Sequence, residues 1–133
     1  MIWGLDTNVV VRFLVRDDAD QAQKVYTLFK KLEKNREKAY LSLLVILETI
    51  WVLESAYQYE RTEILSALGD LMEIAFIICE SDEILTPFFD EAKLSSCDLA
   101  DLLIAHVAQA NQCQKVFTFD KKASRHRFFE LLK

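Results

Sequence analysis

The sequence predicts an α/β fold with a parallel sheet that is covered by helices on both faces. Short apolar stretches such as "AFIIC" and "KVFTF" alternate with longer stretches in which apolar residues recur at helical spacing. The chain has 133 residues, 52% of them hydrophobic, and it contains only two Gly and one Pro. This composition leaves little room for linkers, so we expect one domain that spans residues 1–133.

The first half of the chain alternates between strand and helix patterns. Asp17 and Asp18 have the side chains of N-cap residues, and Ser42 is a candidate cap for the apolar helix that follows it. The predicted elements are a buried strand over 1–5, a helix over 19–34, a strand over 39–42, a helix from 43 to Tyr57 and a helix over 61–73.

The second half continues the same alternation. Ser95 and Ser96 are candidate caps for the helix that contains "CDLADLLIAHVA". The predicted elements are a strand over 75–79, a helix over 82–93, a helix over 97–111, a strand over 115–119 and a short basic helix at the end of the chain.

Cysteine usage and hydropathy point to a soluble cytoplasmic protein. The three cysteines are odd in number and have no CxxC spacing, so a disulfide framework or a zinc knuckle is not expected. The N-terminus lacks the features of a signal peptide. The longest apolar stretch, Leu43 to Leu53, is interrupted by Glu48 and is shorter than the roughly 20 residues of a membrane span.

The net charge of −5 argues at first against a nucleic-acid partner, because binding to phosphates needs positive surface. The positive charges are nevertheless clustered, once between Lys30 and Lys38 and again between Lys121 and Arg127. The first cluster is also what a solvated helix face looks like. The second cluster directly follows Asp120, which is one of several acids of interest.

Two acids in the first half have unusual surroundings. Asp6 ends an apolar run and precedes the polar residues Thr7 and Asn8, so it is either a helix cap or the first carboxylate of a site. Glu48 lies in "LLVILETIWVLESAY", which is apolar nearly all round and predicts a buried helix. A buried carboxylate needs a partner, which is either a structural salt bridge or a bound cation.

Three further acids lie in the second half. Asp98 and Asp101 are three residues apart and share one helix face; Asp98 is explained equally well as a charge in the first turn, whereas Asp101 lies among leucines. Asp120 follows the last predicted strand, where it serves either as a cap or as a functional acid. Because functional side chains gather beyond the carboxyl ends of parallel strands, the positions of Asp6 and Asp120 favour a site.

The pattern of acids favours metal-assisted phosphoryl chemistry. Carboxylates from separate elements suit Mg²⁺ or Mn²⁺, and two histidines are too few for a typical zinc hydrolase. The sequence has no GxxxxGK[ST], GxGxxG or GxSxG motif. A haloacid-dehalogenase-type phosphatase needs an Asp where Asn8 stands, and a receiver domain needs a paired acid near the first strand that is not present.

Four motifs together resemble one known family. "LDTNVVVRFL", "SLLVILETIWVL", "CDLADLLIAHVA" and "VFTFDKKA", in this order and spacing, are similar to the PIN-domain ribonucleases, especially the VapC toxins of toxin–antitoxin pairs. The resemblance extends from Met1 to about Arg127. It implies a three-layer α/β/α sandwich with a central, mainly parallel sheet of four to five strands, and metal-dependent endonucleolytic cleavage of RNA.

The resemblance also assigns roles to residues of this chain. It places the catalytic and metal-binding acids at Asp6, Glu48, Asp101 and Asp120, with Mg²⁺ or Mn²⁺ as the cofactor. Thr7, Asn8 and Asp98 match positions that support this acidic site. The candidates for contact with the RNA substrate are the basic residues Arg12, Lys121, Lys122 and Arg125. A homodimer and a cognate antitoxin are the expected protein partners.

Two features depart from the family pattern, and two alternatives stay open. His106 stands where these proteins usually have a small residue, and the basic C-terminal segment ends shortly after "FFELL". One alternative is a PIN-like module that has lost catalysis and only binds RNA or a protein. The other is a stand-alone PIN nuclease that has no antitoxin.

Overall fold

The strands of the computed structural model, which describes all 133 residues, pair only in parallel. Helices alternate with these strands along the chain, so the predicted α/β class is confirmed. The chain divides into an N-terminal unit, Met1–Glu80, and a C-terminal unit, Ser81–Lys133. No helix combines the length and the apolar character that crossing a membrane requires. The expectation of a single domain stays a prediction.

The N-terminal unit is built on a parallel three-stranded sheet in the order β1-β2-β3. In the register of this sheet Trp3 pairs with Ala39, and Tyr40 pairs with Ile78. Ile46, Ile50 and Leu53 on one face of α3 are almost completely buried. The elements are β1 (Ile2–Gly4), α1 (Thr7–Val15), α2 (Ala19–Lys34), β2 (Lys38–Leu41), α3 (Leu43–Ser55), α4 (Arg61–Met72) and β3 (Ile77–Cys79).

The C-terminal unit packs two helices with a parallel pair of strands, in whose register Phe117 pairs with Glu130. Ala105 on the second helix, Ala123 and Phe129 form a buried cluster in this unit. Its elements are α5 (Asp82–Ala92), α6 (Leu99–Ala110), β4 (Val116–Thr118), a short 3₁₀ turn (Ala123–Arg125) and β5 (Phe129–Leu131).

Most predicted elements are found within a few residues of their predicted bounds, and the caps of α2 and α3 are confirmed. The Asp18 carboxylate accepts a hydrogen bond from Gln21 N, and the Ser42 hydroxyl oxygen accepts one from Val45 N. The predicted caps of α6 are wrong, because Asp98 caps that helix instead of Ser95 or Ser96. All three residue types are good caps, and only the path of the backbone selects among them.

Three further expectations for the elements are wrong. β1 is exposed rather than buried, because it is the edge strand of its three-stranded sheet. Helix α1 was not predicted, since its "VVV" run consists of β-branched residues that favour strands. The chain ends in the 3₁₀ turn and β5 rather than in a basic helix, because β5 pairs with β4 and its Phe129 belongs to the buried cluster with Ala105 and Ala123.

The helix ends of this glycine-poor chain use longer side chains where glycine is usual. Arg16, Arg36, Gln58 and Gln112 have positive φ angles of 59°, 56°, 56° and 66°. Each of them follows a helix, namely α1, α2, α3 and α6 in turn. In this left-handed region the β-carbon crowds the backbone, which costs roughly 1–2 kcal/mol per residue that is not glycine.

Thr49→Val is expected to stabilise the protein. The Thr49 side chain is completely buried in α3, and its hydroxyl has no hydrogen-bond partner. Valine has nearly the same shape and removes a buried polar atom that water would otherwise solvate, so the free energy of unfolding should rise by about 1 kcal/mol. Urea unfolding followed by circular dichroism measures this change.

Thr7→Val is the matched control for Thr49→Val. Thr7 is also buried, but its hydroxyl donates a hydrogen bond of 2.7 Å to Glu48 Oε1. The same substitution at Thr7 should therefore lower the free energy of unfolding, by about 1 kcal/mol. If both variants lowered the free energy of unfolding equally, the Thr49 hydroxyl would have to make a hydrogen bond that stabilises the protein as much as the one from Thr7 does.

Candidate functional site

Asp6 occupies the N-cap position of α1, directly after the first strand segment. Its backbone is extended, with φ −84° and ψ 159°, but its carboxylate accepts no capping hydrogen bond. The side chain is exposed and forms no ion pair. The alternative that this carboxylate serves only as a helix cap therefore has no hydrogen bond to support it.

Glu48 is exposed, which corrects the expectation of a buried carboxylate. α3 has an exposed stripe at helical spacing that contains Leu44, Glu48 and Trp51, whose apolar members made the helix look buried all round. Glu48 forms no salt bridge; instead its Oε1 accepts the hydrogen bond from the Thr7 hydroxyl at 2.7 Å. Thr7 thereby fixes Glu48 next to the N-terminus of α1, whereas the exposed Asn8 side chain makes no hydrogen bond.

Asp98 has a structural role that uses only one of its two carboxylate oxygens. Its Oδ1 accepts hydrogen bonds from Ala100 N at 3.0 Å and from Asp101 N at 3.2 Å, so it is the N-cap of α6. These bonds satisfy two of the backbone N–H groups that every helix start leaves free. They also hold the backbone of Asp101 itself in place.

Asp101 is half-buried and is the third residue of α6. Burial raises the pKa of its carboxyl, and the nearby charges of Asp98 and Asp120 raise it further, while Lys122 lowers it. Asp101 is thus close enough to Asp98 and to Asp120 to be repelled by each of them. We call Asp98, Asp101 and Asp120 the carboxylate cluster.

Asp120 caps the turn that follows β4. Its Oδ1 accepts hydrogen bonds from Lys122 N at 2.8 Å and from Ala123 N at 3.3 Å, and its own N–H donates to the Thr118 hydroxyl. The capping role considered from sequence is therefore present. It occupies only one carboxylate oxygen and leaves Oδ2 available.

The carboxylate cluster has the donor chemistry of a site for a hard cation. Its members supply only carboxylate oxygens, none of them forms an ion pair, and a cation would relieve their repulsion. In the structure no three His, Cys, Asp or Glu side chains are grouped closely enough to hold a metal ion. Metal binding by Asp6, Glu48, Asp101 and Asp120 therefore stays a prediction.

The four basic residues expected to contact the substrate differ in their surroundings. Lys121, Lys122 and Arg125 are exposed and form no salt bridge. The guanidinium group of Arg12 is engaged within the N-terminal unit instead. It donates to Gln21 Oε1 at 2.6 Å, to the Tyr57 hydroxyl at 3.0 Å and to Asp17 Oδ1 at 3.1 Å.

One group of interacting side chains was missed from the sequence. Glu91 Oε1 lies 2.8 Å from His106 Nε2, and Glu91 Oε2 lies 2.6 Å from His126 Nε2 and 3.4 Å from a nitrogen of Arg127. Burial tends to raise the pKa of Glu91, but the bonds to His126 and His106 lead to a lowered pKa. His106, the residue that departs from the family pattern, is thus a buried partner of Glu91. These residues come from three elements, and no spacing in the sequence signals their contact.

A family model for the PIN domain matches residues 5–128 of the chain. The chain belongs to the PIN-domain family. The match includes all four motifs on which the resemblance was based, and it includes the four predicted catalytic acids.

Two known proteins illustrate what this PIN domain is similar to. It is 28% identical to a VapC ribonuclease of Aquifex aeolicus over 88 residues, which are 66% of this chain and 62% of that protein. A crystal structure of Mycobacterium tuberculosis VapC20, described as a toxin that cleaves the sarcin–ricin loop, matches with 15% identity and a TM-score of 0.42, over 96% of both chains. This TM-score is too low to show a common fold, so the family assignment depends on the family model.

Asp101→Asn is expected to stabilise the PIN domain at neutral pH. The charged carboxylate is disfavoured in the folded state by burial and by Asp98 and Asp120, and Asn removes this cost. In metal-free buffer at pH 7 the melting temperature should rise by roughly 2–4 °C. Because the folded-state pKa is raised, wild-type Asp101 takes up its own proton as pH falls. The difference in melting temperature should therefore shrink as pH falls through that pKa and vanish only below the ordinary pKa of Asp in the unfolded chain.

Asp98→Ala is the control for this measurement, since it removes a neighbouring charge together with a cap. At pH 7 it should lower the free energy of unfolding by about 1 kcal/mol, because two backbone N–H groups lose their acceptor. Calorimetry between pH 4 and pH 7 compares the variants. A lower melting temperature for Asp101→Asn at pH 7 would contradict the inferred repulsion.

Proposed function

We propose that this PIN domain is a Mg²⁺- or Mn²⁺-dependent endoribonuclease and the toxin of a toxin–antitoxin pair. The observation that carries the proposal is Asp101, a half-buried carboxylate beside Asp98 and Asp120 that forms no ion pair. A protein gains no stability from such repulsion, so the arrangement points to a cation that is bound during function. The similarity to the Aquifex aeolicus VapC ribonuclease supports RNA as the substrate.

In this proposal Asp6, Glu48, Asp101 and Asp120 hold the metal and are the catalytic acids. A bound divalent ion would supply an activated water and stabilise the charge that develops on the phosphate. The other residues position these acids. Thr7 holds Glu48, and Asp98 fixes the first turn of α6, which carries Asp101. The backbone N–H groups of Lys122 and Ala123 fix Asp120 through its Oδ1.

The RNA strand would be attracted by the exposed cations near these acids. Lys121, Lys122 and Arg125 follow Asp120 directly, and none of them is neutralised by an ion pair. Arg12 is the fourth proposed contact, although its hydrogen bonds to Gln21, Tyr57 and Asp17 also give it a structural role. We place the protein in the cytoplasm, where its RNA substrate is found and where the three cysteines, none of which is in a disulfide, stay reduced.

The expected partners are a second copy of the chain and a cognate antitoxin. Exposed apolar side chains in both units, including Trp51 and Phe119, would be covered in such assemblies. An antitoxin would place an Arg or Lys against the carboxylates instead of the metal. A PIN module without catalysis and a stand-alone nuclease without antitoxin are the alternatives that the following experiments separate.

Cleavage of RNA should require Mg²⁺ or Mn²⁺ and stop in EDTA, because the bare carboxylates repel the phosphate. Asp101→Asn should lower kcat/KM by about 100-fold or more, whereas Asp98→Asn should keep a measurable fraction because Asn still caps a helix. Cleavage of a labelled RNA, resolved on a denaturing gel, measures both effects.

Circular dichroism of both variants serves as the control for folding. Activity that survives chelation would contradict the metal mechanism, and the reverse ranking of Asp98 and Asp101 would mean that the site lies elsewhere on α6. A folded, metal-loaded protein that cleaves no RNA would favour the module without catalysis.

Co-expression with the product of a neighbouring antitoxin gene should abolish the nuclease activity. Changing the single Arg or Lys of the antitoxin that reaches the carboxylates to Ala should restore part of the activity without dissociating the complex. Light scattering at tens of micromolar and an RNA cleavage assay on the purified complex test this. A monomer whose activity the neighbouring product leaves unchanged would favour the stand-alone nuclease.

A further inference from the structure

A groove of about 300 Å³ lies in the C-terminal unit beside the turn that Asp120 caps. We call it the basic groove. Its volume is at the lower end of ligand pockets, which suits a small charged group rather than a folded partner. The residues that line it include Ser95, Ser96, Lys122, Arg125, His126 and Arg127.

Most of the cationic side chains that line the basic groove form no salt bridge. Lys122 and Arg125 are exposed and form no salt bridge, while Arg127 is 72% exposed and only one of its nitrogens lies near Glu91, at 3.4 Å. The hydroxyl of Ser96 has no hydrogen-bond partner, so it too is available to a ligand. The groove therefore offers several donors to an anion from more than one direction.

Glu91, which also lines the groove, is already engaged by hydrogen bonds from within the unit. Both of its carboxylate oxygens are occupied, one by His106 and the other by His126. His126 Nδ1 accepts a hydrogen bond from Phe128 N, so its proton is on Nε2, where it is donated to Glu91. Glu91 thus holds the wall of the groove in place and opposes an incoming anion less than a free carboxylate would.

The neighbouring, larger groove has the opposite charge. It measures about 610 Å³ and is lined by Glu83, Asp90 and Glu91 against a single Arg127. Phosphate would be repelled there, since two of these acids, Glu83 and Asp90, are exposed and form no salt bridge. Of the two grooves, only the basic groove fits an anion.

The basic groove is next to the carboxylate cluster. Lys122 lines the groove, and its charge acts on Asp101. A nucleic-acid strand with one phosphate at the carboxylate cluster would therefore bring another phosphate to the groove. A free anion such as inorganic phosphate has no second phosphate at the carboxylate cluster, so only the groove would hold it.

We propose that the basic groove binds a backbone phosphate next to the one that is cleaved, and so sets the register of the RNA strand. Lys122, Arg125 and Arg127 contact this phosphate, and the Glu91–His126 pair positions the wall that carries Arg127. This inference rests on the proposed ribonuclease function, and its test does not require cleavage.

The test compares two variants of the full-length protein that each lose two positive charges. Lys122→Gln/Arg125→Gln changes the basic groove, and Lys31→Gln/Lys34→Gln changes the end of α2. With Ca²⁺ in place of Mg²⁺, so that the carboxylates carry a cation and do not repel the phosphate, the affinity for a short single-stranded RNA is measured by fluorescence anisotropy. It should fall about tenfold for the first variant and less than about twofold for the second. Lys122→Arg/Arg125→Lys keeps the charges and should keep the affinity.

Amide NMR of the wild-type protein locates the ligand. The short RNA should shift the amides of Ser96, Lys122 and Arg125, and inorganic phosphate at millimolar concentration should shift them weakly or not at all. Shifts with inorganic phosphate but none with RNA would overturn the proposal, as would an equal loss of affinity in both charge variants. Selective loss in the first variant upholds it even if the protein cleaves no RNA, which separates its failure from that of the nuclease function.

Discussion

The arrangement of acids and bases in this chain depends on where its few structural ion pairs are formed. Glu91 pairs with His106, His126 and Arg127, and Asp17 pairs with Arg12. None of these pairs involves an acid of the PIN motifs. The structural pairs therefore lie away from the motif acids, and no ion pair offsets the charges of Asp98 and Asp120 beside Asp101. Within the C-terminal unit, Lys121, Lys122 and Arg125, which follow Asp120 in the chain, are exposed and form no salt bridge.

An acid that caps a helix or a turn through one carboxylate oxygen keeps the other oxygen for a ligand. Asp98 and Asp120 each give Oδ1 to two backbone N–H groups and keep Oδ2. The cap fixes the direction of the carboxylate and leaves its second oxygen available, which is the preorganisation that a metal site needs. Asp6 differs, since its side chain makes no capping bond and its direction is set only by the backbone.

The sequence was sufficient for the fold class and for most helices, because apolar spacing directly reflects which face is buried. It was not sufficient where two physical signals compete. The "VVV" run of α1 has strand propensity but helical structure, and the apolar Leu44 and Trp51 concealed the exposed stripe that contains Glu48. The contact between Glu91 and His126 joins residues 35 positions apart, so only the folded chain reveals it. Motif order identified the PIN family, whereas the basic groove required coordinates.

The left-handed residues at the helix ends have a consequence for how this chain tolerates genetic change. Arg16, Arg36, Gln58 and Gln112 occupy positions where glycine would relieve backbone crowding. Arg16 is compensated by its guanidinium, which lies 5.5 Å from the centre of the Phe13 ring and donates to the Phe13 carbonyl oxygen. For Gln58 and Gln112 no side-chain contact of this kind exists. Glycine substitutions at these two positions would therefore stabilise the folded state. That added stability would let the chain tolerate destabilising mutations at other positions.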